Sequence, residues 1–79
     1  MMNLDALWNK YDTNRDGKLS REEAGKLFDE YFMTTEKMKI SENAKNQLFN
    51  FIDKSHHYKG EIYKEDLRSS MRFLFPHLF

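Results

Sequence analysis

Apolar residues recur along this 79-residue chain in four blocks, each with the spacing of one helical face. Leu4, Leu7, Trp8 and Tyr11 fall at i, i+3, i+4 and i+7, which predicts a first helix from about Asn3 to Tyr11. Ala24, Leu27, Phe28, Tyr31 and Phe32 repeat the period and predict a second, starting at Ser20 or Arg21 and ending at about Met33. Ala44, Leu48, Phe49 and Ile52 form a third face, with Phe51 on its flank. Leu67, Met71, Leu74 and Phe75 form a fourth, which starts near Tyr63 or Lys64 and is ended by Pro76. Asn3 and Ser41 stand where an N-cap oxygen is wanted, and Asp5 and Glu42 sit in the following turns, where negative charge complements the helix dipole. Gly25 lies inside the second helix as a tolerated, exposed position, at a cost of about 1 kcal/mol relative to Ala. Thr34 to Ile40 breaks the period and reads as a linker.

Between the first two helices runs Asp12-Thr-Asn-Arg-Asp-Gly-Lys-Leu-Ser-Arg-Glu-Glu23. Its chemistry is a set of hard oxygen donors on alternate positions. Asp12, Asn14 and Asp16 can each turn a side-chain oxygen inward, Lys18 can offer its backbone carbonyl, and Glu23 can supply two oxygens. Ser20 occupies a position that often acts through a bridging water. Gly17 falls where the chain must turn sharply. Such an oxygen set favours Ca²⁺ over the strictly octahedral Mg²⁺, with Mg²⁺ as a competitor. Zinc does not suit a loop without Cys or His.

The loop matches the pattern D-x-[DN]-x-[DN]-G-x₅-E, and both flanks are helical. From Trp8 to Phe28 the chain resembles one complete EF-hand of the calmodulin and troponin C superfamily. The resemblance implies an all-α fold: a pair of EF-hands, four helices in two helix-loop-helix units, with a short β pairing between the loops. Hand one covers about 3–33, the linker about 34–40, hand two about 41–75 and an apolar tail 76–79, all in a single domain of residues 1–79.

The second hand departs from the pattern. Phe49-x-x-Ile52-Asp53 repeats the phase of Trp8-x-x-Tyr11-Asp12, and Gly60-x-Ile62 repeats Gly17-x-Leu19. The loop from Asp53 to Asp66 nevertheless has fourteen residues, where the usual loop has twelve. Ser55 is a weak ligand, Lys59 stands where a carboxylate is wanted, and Asp66 is shorter than Glu. This loop is expected to be silent toward Ca²⁺ and to be retained for Ile62, which would face Leu19. Among small two-handed proteins of the calbindin type, those with an enlarged loop usually carry it in the first hand, so the enlarged second loop here is a departure that weakens assignment to that subgroup.

Composition removes several alternatives. Thirteen basic and thirteen acidic residues cancel, which argues against nucleic acid or an anionic membrane held by bulk charge. There is no Cys, hence neither disulfide nor thiolate site. No apolar run is long enough for a membrane span, and the first residues lack a signal-peptide pattern and a myristoylation glycine. A cytoplasmic location is expected. The adjacent His56 and His57 read as exposed loop residues, and no catalytic constellation is visible, so the chain is not expected to be an enzyme.

Two functions compete. The first is a Ca²⁺-responsive regulator that binds a partner helix. Ca²⁺ would draw Glu23 into the cage and open a groove lined by Phe28, Phe32, Met33, Met71 and Leu74. Met33 and Met38 beside the linker fit an adaptable groove, or simply pack. The alternative is a constitutive structural or light-chain-like subunit of a larger, cytoskeletal assembly with little Ca²⁺ dependence. A Ca²⁺ buffer is a third reading, which a single working site disfavours. The apolar tail either finishes the core or inserts into a groove of this domain or of a partner.

Overall fold

In the computed structural model, which describes residues 4–13, 15–56, 60–74 and 76, the chain forms four helices and one two-stranded sheet. The order is α1 (Leu4–Tyr11), β1 (Lys18–Ser20), α2 (Arg21–Thr35), α3 (Glu42–His56), β2 (Glu61–Tyr63) and α4 (Lys64–Leu74). The strands are antiparallel, with Lys18 opposite Tyr63, Leu19 opposite Ile62 and Ser20 opposite Glu61. The chain is therefore two helix-strand-helix units joined side by side through their strands.

Most of the residues that the helical period singled out form the core; Tyr11, Ala44 and Leu48 are only partly buried against it, and Leu74, expected on the fourth apolar face, is exposed. Leu4, Leu7 and Trp8 from α1 meet Ala24, Leu27, Phe28, Tyr31 and Phe32 from α2, Phe49 and Ile52 from α3, and Leu67 and Met71 from α4. Leu19 and Ile62 are completely or almost completely buried, at 0% and 1% exposure. Fully burying such a side chain contributes about 1.5–3 kcal/mol, so three-residue strands are held mainly by these two side chains.

Three expectations shift. First, α2 runs to Thr35 rather than Met33, and in its last turn the Thr34 and Thr35 hydroxyls donate to the Glu30 and Tyr31 carbonyls (2.7 and 2.5 Å). The helix ends where Lys37 takes a φ of 55° and the Glu36 and Met38 amides both return to the Phe32 carbonyl. Second, Ile40 is not spare linker; it is 9% exposed and packs into the core just before α3. Ser41 then caps α3, its hydroxyl accepting the Ala44 amide at 3.1 Å. Third, α3 continues past Asp53 to His56, whereas α1 stops at Tyr11, one residue before Asp12. The longer second connection is thus partly taken up as helix.

The proposed cap at Asn3, the candidate ligand Asn14, the loop residues His57 and Lys59, Phe75 of the fourth apolar face, and residues 77–79 of the tail lie outside the described residues. Among those described, no helix is long and apolar enough to cross a membrane.

Candidate metal centre

Asp12 is the fixed point of the first loop. Although charged, it is only 5% exposed, and its carboxylate is fully engaged. Trp8 Nε1 donates to Oδ2 at 3.2 Å from one helical turn earlier, and the Gly17 amide donates to the same oxygen at 3.0 Å. The Asp16 amide reaches Oδ1 at 3.3 Å. These donors fold the loop back over the end of α1. The return requires a left-handed backbone, which Gly17 supplies with a φ of 80°. Arg15 also has a positive φ, 53°, and its side chain is exposed.

The other candidate ligands hold the loop in place individually. Asp16 is exposed, and its Oδ1 accepts the Lys18 amide at 3.1 Å; that bond, first of all, holds its carboxyl below the usual range. Lys18 lies in β1, and its ammonium reaches Glu61 on β2 at 3.5 Å. Glu23 is the third residue of α2. Its Oε1 accepts the Ser20 amide at 3.0 Å while Ser20 Oγ accepts the Glu23 amide at 3.3 Å, a reciprocal capping box. Ser20 is therefore the N-cap of α2 in this arrangement.

Three carboxylates do not converge here: among the described residues no three acidic or histidine side chains surround one point. Asp12 is turned into the loop, while Asp16 and Glu23 each face a backbone amide. The donor set is nonetheless all hard oxygen, and two of the neighbouring cations, Lys18 and Arg21, are engaged elsewhere. Arg21 lies over the Phe49 ring at 4.6 Å and donates to Asn46 and Asn50 on α3 at 3.2 and 2.5 Å. The chemistry of the residues suits a hard divalent cation, and Glu23 would have to leave its capping bond to take part in holding one.

The second connection keeps one part of this frame. The Gly60 amide donates to Asp53 Oδ2 at 3.0 Å, the same distance as Gly17 to Asp12, and Gly60 has a φ of 78°. Asp53 is 7% exposed, and Asp66, in the first turn of α4, is 9% exposed. The lengthened connection thus preserves the Asp–Gly bond.

Some relevant residues carried no motif signal. Glu30 on α2 accepts from Lys10 Nζ at 2.7 Å and from Tyr11 Oη at 2.6 Å, tying the end of α1 to α2 just before the loop. Lys10, and then the Tyr11 hydroxyl, hold the Glu30 carboxyl below its usual range; the same contacts raise Tyr11 and Lys10. At the other end of α1, Asp5 bonds Lys64 at 2.8 Å and pairs with Arg68, both on α4. The Trp8–Asp12 bond, by contrast, was accessible by spacing, since i and i+4 share a helix face.

No protein-family model, curated protein or solved structure matches this chain.

Proposed function

We propose that the chain is a pair of EF-hands, with one Ca²⁺ site in the first loop, acting as a Ca²⁺-responsive regulator that engages a partner helix. The observation that carries the reading is the repeated Asp–Gly frame. Asp12 with Gly17 and Asp53 with Gly60 have equal bonds and matching positive φ, and the strands that follow pair at Leu19 and Ile62. A full set of ligand-type residues at the pattern positions accompanies the first frame, whereas the second has Lys59 where a carboxylate is wanted.

Asp12, Asn14, Asp16, the Lys18 carbonyl and Glu23 are the residues that would hold Ca²⁺, and Mg²⁺ competes for the same oxygens. Ca²⁺ supplies a divalent charge that offsets the mutual repulsion of the carboxylates. Glu23 belongs to α2 itself, so where its carboxylate points bears directly on that helix. Phe28, Phe32 and Met71 are buried, while Met33 and Leu74 are exposed, so this arrangement corresponds to a closed groove. The fourteen-residue second connection serves as a structural partner for the first.

The test is the amide spectrum of the labelled chain with chelator, with Mg²⁺ and with Ca²⁺. The regulator reading expects Ca²⁺ to shift residues 12–23 first and then the buried α2 and α4 residues. Shifts confined to the loop would leave a buffer, and no shift would leave the constitutive subunit.

A further inference from the structure

The least expected surface of the molecule lies away from the metal loop. Phe73 on α4 is 75% exposed and Phe51 on α3 is 39% exposed, whereas Phe49, Ile52, Leu67 and Met71 on the same helices are buried. The helical period separates the two sets: Phe51 and Phe73 point outward because their neighbours point in. Their rings stack on each other, with centroids 6.3 Å apart and planes 15° apart. Leu74, at 37% exposure, extends the apolar surface. An exposed apolar cluster shared between two helices marks an interaction site more often than a scattered single residue does.

Among the described residues, charge around this surface is one-sided. Lys54 stands one turn after Phe51, and Arg72 is next to Phe73; both are exposed. Neither makes an ion pair among the described residues, whereas Lys10, Lys18, Lys45, Lys64 and Arg68 all do. The other exposed residues nearby, Gln47, Asn50 and Ser69, are neutral. The nearest exposed carboxylate on α4 is Glu65, two turns before Arg72. An aromatic platform rimmed by uncommitted cations is complementary to apolar anchors flanked by acids. A second copy of the chain does not meet that requirement. A two-fold contact through this face would bring Lys54 and Arg72 of both copies together, like charge against like.

We propose that the face carrying Phe51 and Phe73 is a docking surface for an acidic amphipathic helix of a partner protein, available without Ca²⁺. An apolar stripe at i and i+4 would lie on the two rings, and carboxylates beside it would reach Lys54 and Arg72. Because the rings are already exposed in the closed arrangement, docking here needs no opening of the groove. Leu74 alone is shared with the groove proposed above; docking on the two rings is otherwise separate from that groove and stands or falls independently of it.

The experiment is a titration of the isotope-labelled chain, in chelator, with two synthetic helical peptides. Both carry the same Leu and Trp stripe; one has Glu on its flanks and the other Lys. The acidic peptide is expected to shift α3 and α4 residues around Phe51 and Phe73 and to bind about tenfold or more tightly than the basic one. Phe73→Ser should weaken it about tenfold or more with an unchanged unfolding midpoint, since the ring is exposed. Lys54→Glu combined with Arg72→Glu should reverse the peptide preference. Adding Ca²⁺ should leave the affinity unchanged. Equal binding of the two peptides, or shifts that map elsewhere, would overturn the proposal. So would a Ca²⁺ requirement, or sedimentation showing self-association that Phe73→Ser abolishes.

Discussion

Glu23 and Ser20 close a reciprocal pair of hydrogen bonds at the start of α2, each side chain accepting the other's amide. One carboxylate therefore serves as a helix cap here and as the closing ligand in the proposed Ca²⁺ site. The two roles separate by substitution. Gln at the third helical position keeps a capping-box acceptor but removes the charge. Glu23→Gln should thus stay within about 0.5 kcal/mol of the parent in chelator, a typical range for tolerated surface changes. Ser20→Ala, which removes the cap oxygen, should cost about 1 kcal/mol. Urea unfolding in chelator measures both; a Glu23→Gln chain less stable than Ser20→Ala would show that the charge, not the cap, holds this turn.

The pairing of Leu19 with Ile62 is expected to be the most sensitive point of the fold. Both side chains are buried, and they join the two helix-strand-helix units. Leu19→Ala or Ile62→Ala should each destabilise by about 2–4 kcal/mol, a large part of the total for a domain of this size. Two-state unfolding curves would show it as a lower midpoint with the slope retained.

A pH series should identify the tie between α1 and α2. Lys10 and Tyr11 lower the Glu30 carboxyl's pKa, so its folded value lies below its unfolded one. The stability this gives is present above the unfolded carboxylate pKa of about 4.3 and is lost as pH falls through the depressed folded value. Glu30→Gln should therefore lower the melting temperature at neutral pH, and the gap to the parent should close in acid once the pH falls below the depressed folded value. A gap that persisted there would mean that packing, not charge, accounts for the contact.

The glycines should divide by backbone geometry. Gly25 is helical, and a Cβ placed on it meets Lys45 Cδ at 4.0 Å, an ordinary contact. Gly25→Ala should stabilise by about 0.4–1 kcal/mol. Gly17 and Gly60, with φ of 80° and 78°, should respond oppositely, Ala costing about 1–2 kcal/mol at each. Thermal unfolding of the three variants tests the contrast.

Much of this architecture was legible in the residues. The periods of Leu4 to Tyr11 and of Ala24 to Phe32 gave the faces that are buried, and the shared Gly-x-apolar phase placed Leu19 against Ile62. What was not legible depends on tertiary partners. Ile40 sits in a polar stretch whose local pattern carries no face, and only packing makes it core. Glu30 looks like any exposed helical acid until α1 brings Lys10 and Tyr11 to it. At the site, the spacing named the oxygen donors but not their present bonds. The proposed Ca²⁺ would compete with the cap for Glu23, because Ser20 is at once a loop residue and the N-cap of α2.

The most direct test of the central claim is a calorimetric Ca²⁺ titration of the parent and of Glu23→Gln, each with and without millimolar Mg²⁺. The account predicts one Ca²⁺ per parent chain, weakened by Mg²⁺ and lost in Glu23→Gln while the variant stays folded. Two ions per chain would contradict the silent second connection, and no binding to the folded parent would contradict the metal site itself.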